Sequence, residues 1–210
     1  MYRVEIAEGD LGFMKWLYKN GVPYNRMGTI IFDRVARQGG LNTMKWLHAI
    51  KCPWSGRAFA MAAQHGSIVN IEWLFEKGCP WGGQSCHNPF DVAAKYGNLE
   101  CMKWLFGKGC FSWGEETFAY AAEYGDLNNM KWLHENGYRW GDCTLDSAAA
   151  HGDLGNMKWL HKIGCHYSNK TLYYASNSRR DVNKSENIKW LLGIGCQDGP
   201  YHDDYDSDDY

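Results

Sequence analysis

No stretch of this sequence approaches the roughly 18 consecutive apolar residues that a helix needs to span a bilayer. The opening MYRVEIAEGD also lacks the basic and apolar segments of a secretory leader. The chain is therefore expected to be soluble and cytoplasmic, away from membranes. Metal-ligand spacings are missing as well: there is no CxxC, HxxxH or HExxH, and the adjacent pairs Cys86–His87 and Cys165–His166 make poor chelates. Neither a nucleophile elbow nor a phosphate-cradling glycine loop is present. No catalytic residue, metal ligand or cofactor is assigned, and the expectation is a protein that is not an enzyme.

What is present is the material of a core. Hydrophobic residues make up 45% and aromatic residues 15% of the 210, which argues against a disordered chain. The formal charge of -2 is unevenly spread: residues 198–210 hold six of the 24 acids and no Lys or Arg, leaving 22 basic against 18 acidic residues before them. The chain thus divides into a mildly basic body, residues 1–197, and an acidic tail, residues 198–210. Like charge and few aliphatics predict that the tail is disordered and solubilising. A motif read by a basic partner, or an internal competitor for the body, are its functional alternatives.

The body repeats. A KWL-like core places tryptophans at Trp16, Trp46, Trp73, Trp104, Trp132, Trp159 and Trp190, with steps of 30, 27, 31, 28, 27 and 31 residues. Five residues earlier stands Leu11, Leu41, Ile68, Leu99, Leu127 or Leu154, with Ser185 as the exception. Two earlier is a Met or Ile, and one later always a Leu, so apolar side chains fall at i, i+3 and i+6 and form one helical stripe. The lysine before each tryptophan, replaced once by Glu72, lies off that stripe and is expected in solvent. Five residues after the tryptophan, glycine ends the helix in six of seven units, Lys51 being the exception. A second glycine, seven before the tryptophan, follows alanine-rich stretches such as FAMAAQHG and FAYAAEYG and ends a preceding helix. Each unit is therefore two helices joined by a short turn, followed by a loop rich in Gly, Pro and Trp.

Five of the eight cysteines, Cys52, Cys79, Cys110, Cys165 and Cys196, share one repeat position. Stacking at about 8–10 Å keeps equivalent residues beyond the roughly 4.4–6.8 Å Cα separation of a disulfide, so they are expected as reduced, buried small hydrophobes. The eleven tryptophans recur at two equivalent positions, which predicts packing between repeats rather than stacking on a ligand. A buried tryptophan would contribute about 4–6 kcal/mol gross.

The segment from Asn88 to Cys110 resembles the ankyrin-repeat pattern TPLHxAAxxGxLxxVKxLLxxGA. Asn88 stands at its threonine, Pro89 at its proline, Phe90 at its leucine and Asp91 at its histidine, followed by Ala93, Ala94, Gly97, Leu99 and Gly109. In weaker form the likeness runs from about residue 4 to residue 197. It implies an all-α solenoid of about seven stacked helix-turn-helix units. A tetratricopeptide-like array, with a period near 34 residues, fits less well, and the LxxLxLxxN signature of leucine-rich repeats is absent. The units are shorter than the roughly 33 residues of ankyrin repeats, and the loss falls in the inter-repeat loop. Trp54 to Gly66, Trp113 to Gly125 and Trp140 to Gly152 are each 12 residues, against 15 from Tyr24 to Gly39 and 16 from Trp81 to Gly97. Finger-like projections are thus expected only at residues 25–30 and 82–88.

The resemblance also implies a function. In such arrays the first helices line a concave groove, and the two variable residues before the helix-ending glycine face it. Here these are Arg37 and Gln38, Gln64 and His65, Lys95 and Tyr96, Glu123 and Tyr124, and Ala150 and His151. His65, Tyr96, Tyr124 and His151 would form a ladder of amphipathic rings of the kind enriched where partners dock, or simply cover the next repeat. The implied role is non-catalytic binding of a protein partner by a monomeric scaffold. The Trp-rich wording MKWLHxxGCPW is also similar to arrays in protists and their large DNA viruses, where a target-binding scaffold is sometimes coupled to host ubiquitin ligation; no F-box-like segment is visible here. Nucleic-acid binding by the basic body is the alternative, and would require the lysines to form a continuous stripe.

Overall fold

The computed structural model describes residues 11–21, 28–81, 88–111, 114–124, 126–178 and 184–197. Every regular element among them is a helix. Outer helices carry the tryptophan core: α1 (Leu11–Lys19), α3 (Leu41–Ala49), α5 (Ile68–Glu76), α7 (Leu99–Gly107), α9 (Leu127–Glu135), α11 (Leu154–Lys162) and α13 (Lys184–Gly193). Inner helices carry the alanines: α2 (Gly28–Arg37), α4 (Gly56–His65), α6 (Pro89–Lys95), α8 (Glu115–Tyr124), α10 (Thr144–His151) and α12 (Thr171–Ser176). The acidic segment 198–210, Trp113 and Gly125 lie outside the described residues. So does most of the two expected fingers, and Gly28–Ile30 at the end of the first already belong to α2.

Local chemistry explains the boundaries. Side-chain oxygens of Ser55, Ser67, Asn88, Asp126 and Asp153 accept bonds from backbone N–H groups in the first turns of α4, α5, α6, α9 and α11. Outer helices end in a repeated Schellman-type closure. The N–H of Cys52, Cys79, Cys110, Tyr138, Cys165 and Cys196 donates to the carbonyl of the leucine after each tryptophan, at 2.9–3.0 Å. This closure needs a left-handed residue just before the donor. Glycine supplies it everywhere except at Lys51, the one non-glycine with positive φ (58°) among the described residues. The recurrent cysteine is thus the residue that seals the helix end against the core.

Consecutive inner helices pack directly on one another along the whole row, whereas the outer helices touch their neighbours sparingly. The alanines are the cause. Ala62, Ala63, Ala93, Ala94, Ala121, Ala122, Ala148 and Ala149 have no exposed surface, and side chains this small let helix axes approach. A stack held closer on one side than on the other curves toward the closer side, so the inner helices line the concave face.

The tryptophans pack between repeats as expected, though most are not fully buried. Only Trp73 is buried, at 8% exposure, while Trp16 is 58% exposed and the others described are half-buried. Full burial goes instead to Met44, Met102, Met130 and Met157 of the stripe and to Phe32, Phe59, Phe90 and Phe118 of the inner helices. The tryptophans bridge units. The residue two beyond each one sets its ring edge-on to the next tryptophan: Tyr18 on Trp46, His48 on Trp73, Phe75 on Trp104, Phe106 on Trp132, His134 on Trp159 and His161 on Trp190. Centroid separations are 5.3–5.9 Å and interplanar angles 83–88°, the edge-to-face geometry favoured by the ring quadrupole.

Candidate partner-binding surface

Each expected groove residue sits at the end of an inner helix, where the left-handed glycine turns the chain toward the outer helix. Gly39, Gly66, Gly97 and Gly152 take φ of 75–87° there. At Gly39 the missing side chain has a second use, because a Cβ would collide with the His65 ring of the next unit. Asn98 leans in the same way over Gly66, and its Nδ2 donates to the carbonyls of Ala63 and Gln64 at 2.7 and 2.9 Å. The helix ends are therefore clamped to one another as well as displayed.

Arg37, Gln38 and His65 are exposed; Gln64, Lys95, Glu123, Ala150 and His151 are half-buried. Tyr96 and Tyr124 keep 42% and 38% of their surface in solvent. Of the expected ladder, three rungs join: Tyr96 and Tyr124 lie 5.3 Å apart by ring centroids, and Tyr124 and His151 6.4 Å apart. His65 belongs to the same row but rests over Gly39 in the preceding unit. Beside the rungs, Lys95 and Glu123 form an ion pair at 3.3 Å. The Lys95 ammonium also lies 4.9 Å from the Tyr124 ring centroid and 5.2 Å from that of Tyr120. A partly exposed pair of this kind contributes at most about 1 kcal/mol, so its main effect is to fix the rings around Lys95.

The fold is similar to a solved one. The human ASB11 ankyrin repeat domain, known from a crystal structure, matches with a TM-score of 0.60 and 20% sequence identity over 87% of this chain and 93% of that one. The chain has the ankyrin-repeat fold. No protein-family model matches the sequence, and no curated protein matches it.

Several residues that build this ankyrin array escaped the sequence reading. Tyr120, 37% exposed and one turn before Tyr124, completes the aromatic wall around Lys95. Three residues before the tryptophan the array buries a polar side chain, as Thr43, Asn70, Asn129, Asn156 and Asn187. From there Asn129 donates to the carbonyls of Ala93 and Ala94, and Asn187 to that of Gly152, holding the end of the inner helix of the preceding unit. Next to the buried phenylalanine, Asp91 accepts a 2.6 Å bond from the Thr117 hydroxyl of the next unit, and Asp146 accepts bonds from Ser168 and Thr171. The recurrence of a polar residue on the apolar stripe was the available signal.

The reactive residue types are quiet. Burial pushes the thiols of Cys52, Cys110 and Cys165 up to about 11 and those of Cys79 and Cys101 to about 12, which leaves them protonated and poor nucleophiles at neutral pH. All described cysteines are free, and Cys143 is the exposed one. Among the described residues no group of three His, Cys, Asp or Glu is placed to hold a metal ion, and no helix is long and apolar enough to cross a membrane. The lysines before the tryptophans are exposed on the outer helices, but their row is broken at Glu72, and Lys103 is engaged by Glu100 at 2.8 Å.

Proposed function

We propose that this chain is a non-catalytic, cytoplasmic scaffold that binds a protein partner along the concave face of the array comprising residues 1–197. The contact row is Arg37, Gln38, Gln64, His65, Lys95, Tyr96, Glu123, Tyr124 and His151. The observation that carries this reading is the chain of Tyr96, Tyr124 and His151 across three units, partly exposed and held by Lys95 and Glu123. Rigid amphipathic rings lose little conformational entropy on docking, and such residues dominate protein interfaces.

The test pairs a binding measurement with a folding control. Tyr96→Ala with Tyr124→Ala is expected to leave the helical content intact and to reduce recovery of the native partner at least tenfold, since central anchors are worth about 2 kcal/mol or more. Equal recovery by the double variant would refute the groove. Retention of partner by that variant, together with its release when the outer-helix lysines are replaced or the salt is raised, would point to nucleic acid or another polyanion instead.

A further inference from the structure

Charge is unevenly spread along the described units. Residues 11–21 and 28–66, which hold α1 to α4, contain seven lysines and arginines and a single acid, Asp33. The inner helices carry the same contrast onto the concave face. Arg34, Arg37 and Arg57 are exposed on α2 and α4, whereas α8 bears Glu115, Glu116 and Glu123. Asp33 answers one of the three arginines, 3.7 Å from the Nε of Arg57. Among the described residues no acid pairs with Arg34 or Arg37.

The repeat places these arginines in register with the aromatic wall. Arg34 stands two residues beyond the buried Phe32, as Met61 does beyond Phe59, Val92 beyond Phe90 and Tyr120 beyond Phe118. Equivalent positions form one row across four units. Arg37, three residues on and so on the same face of α2, opens the neighbouring row of Gln64, Lys95 and Glu123. Met61 and Val92 are half-buried and pack on the core. Beyond them Tyr120 and Tyr124 flank Lys95, and Tyr96 lies against Tyr124. The face thus runs from two unpaired guanidiniums, over an apolar floor, to a group of rings.

We propose that the partner presents an extended acidic peptide segment to this face, an assignment that rests on the groove reading above. Its carboxylates pair with Arg34 and Arg37, and an apolar or aromatic side chain further along lodges among Tyr96, Tyr120 and Tyr124. A planar guanidinium takes a carboxylate through two parallel hydrogen bonds. The glutamates of α8 repel acids at the ring end, so complementary charge fixes the register of the segment. From α2 to α6 and α8 are two and three helix steps of about 8–10 Å each. At about 3.3 Å per residue an extended chain covers them in about five to nine residues.

The test is selection of a phage-displayed library of random dodecapeptides, about 40 Å long when extended, on the full chain. Enriched sequences are expected to carry two or more acids set about five to nine positions from an aliphatic or aromatic residue. The most enriched sequence is then synthesised and titrated by fluorescence anisotropy. Arg34→Glu with Arg37→Glu is expected to weaken it at least about tenfold, because attraction becomes repulsion at both sites, and to remove most of its salt dependence. Lys15→Glu with Lys45→Glu changes the net charge equally on the outer helices, and is expected to leave affinity within about twofold, since distant exposed charges are screened. All four side chains are exposed, and circular dichroism checks that each variant keeps the fold. Enriched peptides without an excess of acids overturn the proposal, as do peptides indifferent to the arginine change, an equal loss in the lysine variant, or a library that yields no binder. If peptides indifferent to the arginines still lose affinity in the Tyr96→Ala, Tyr124→Ala variant, the groove stands and only the acidic partner is wrong. Peptides indifferent to both changes sink the groove as well. An oligothymidylate that binds more tightly than the peptide, with the same arginine dependence, would make the site one for nucleic acid and overturn the proposal too.

Discussion

The junction between Phe75 and Trp104 is the most direct place to test whether stability is shared between units. The rings meet at 5.4 Å and 87°, and the Lys108 ammonium sits 5.4 Å from each centroid. Complete removal of a fully buried tryptophan costs about 3–5 kcal/mol. Trp104 is half-buried, so Trp104→Ala is expected to cost about 2 kcal/mol, roughly half that range. Trp16→Ala, at 58% exposure, is expected to fall within about 0.5 kcal/mol of the wild type, as surface changes do. A double-mutant cycle with Phe75→Ala isolates the shared part, expected at about 0.5–1.5 kcal/mol for an edge-to-face pair. The assay is urea unfolding followed by circular dichroism, with the slope checked for constancy across variants. A coupling indistinguishable from zero, or equal losses at Trp104 and Trp16, would show that the aromatic row does not link the units.

Two further changes test single residues. Burial pushes the Asp91 carboxyl above its ordinary range, Thr117 pulls it partly back and the Glu116 charge pushes it up again. A carboxyl raised on folding adds stability below its unfolded value of about 3.9, and that contribution is lost as pH rises through the folded value. Asp91→Asn, which can still accept the Thr117 hydrogen bond, is therefore expected to raise the melting temperature at pH 7 and to lose this advantage on acidification toward pH 4; a variant less stable at pH 7 would contradict the burial argument. Lys51 holds a left-handed conformation at φ 58° where six sister positions have glycine, so Lys51→Gly is expected to gain about 1 kcal/mol in urea unfolding, and a loss would mean that the lysine side chain contributes more than its backbone costs.

Much of the architecture was legible because each unit carries its own instructions. The apolar stripe, the alanine-rich partner helix and the two glycine stops lie within one period, and local rules read them. Lys51 illustrates how far this goes: the one unit lacking its glycine adopts the same closure, because the Cys52 N–H bonds to Leu47 as its sister residues do. The candidate surface was legible only in part. Counting back from the glycine located Tyr96, Tyr124 and His151, but not Tyr120, which enters through its approach to Lys95 on another helix.

The sequence by itself determined the period, the helix ends and the residues that face inward, since these follow from backbone conformation and helical spacing within about 30 residues. Tertiary structure decided how deeply each tryptophan is covered, which carbonyls Asn98, Asn129 and Asn187 secure, and which rings gather around Lys95. Those outcomes depend on the distance and tilt between neighbouring units. Both are set by all the alanine contacts together, and no single repeat contains them.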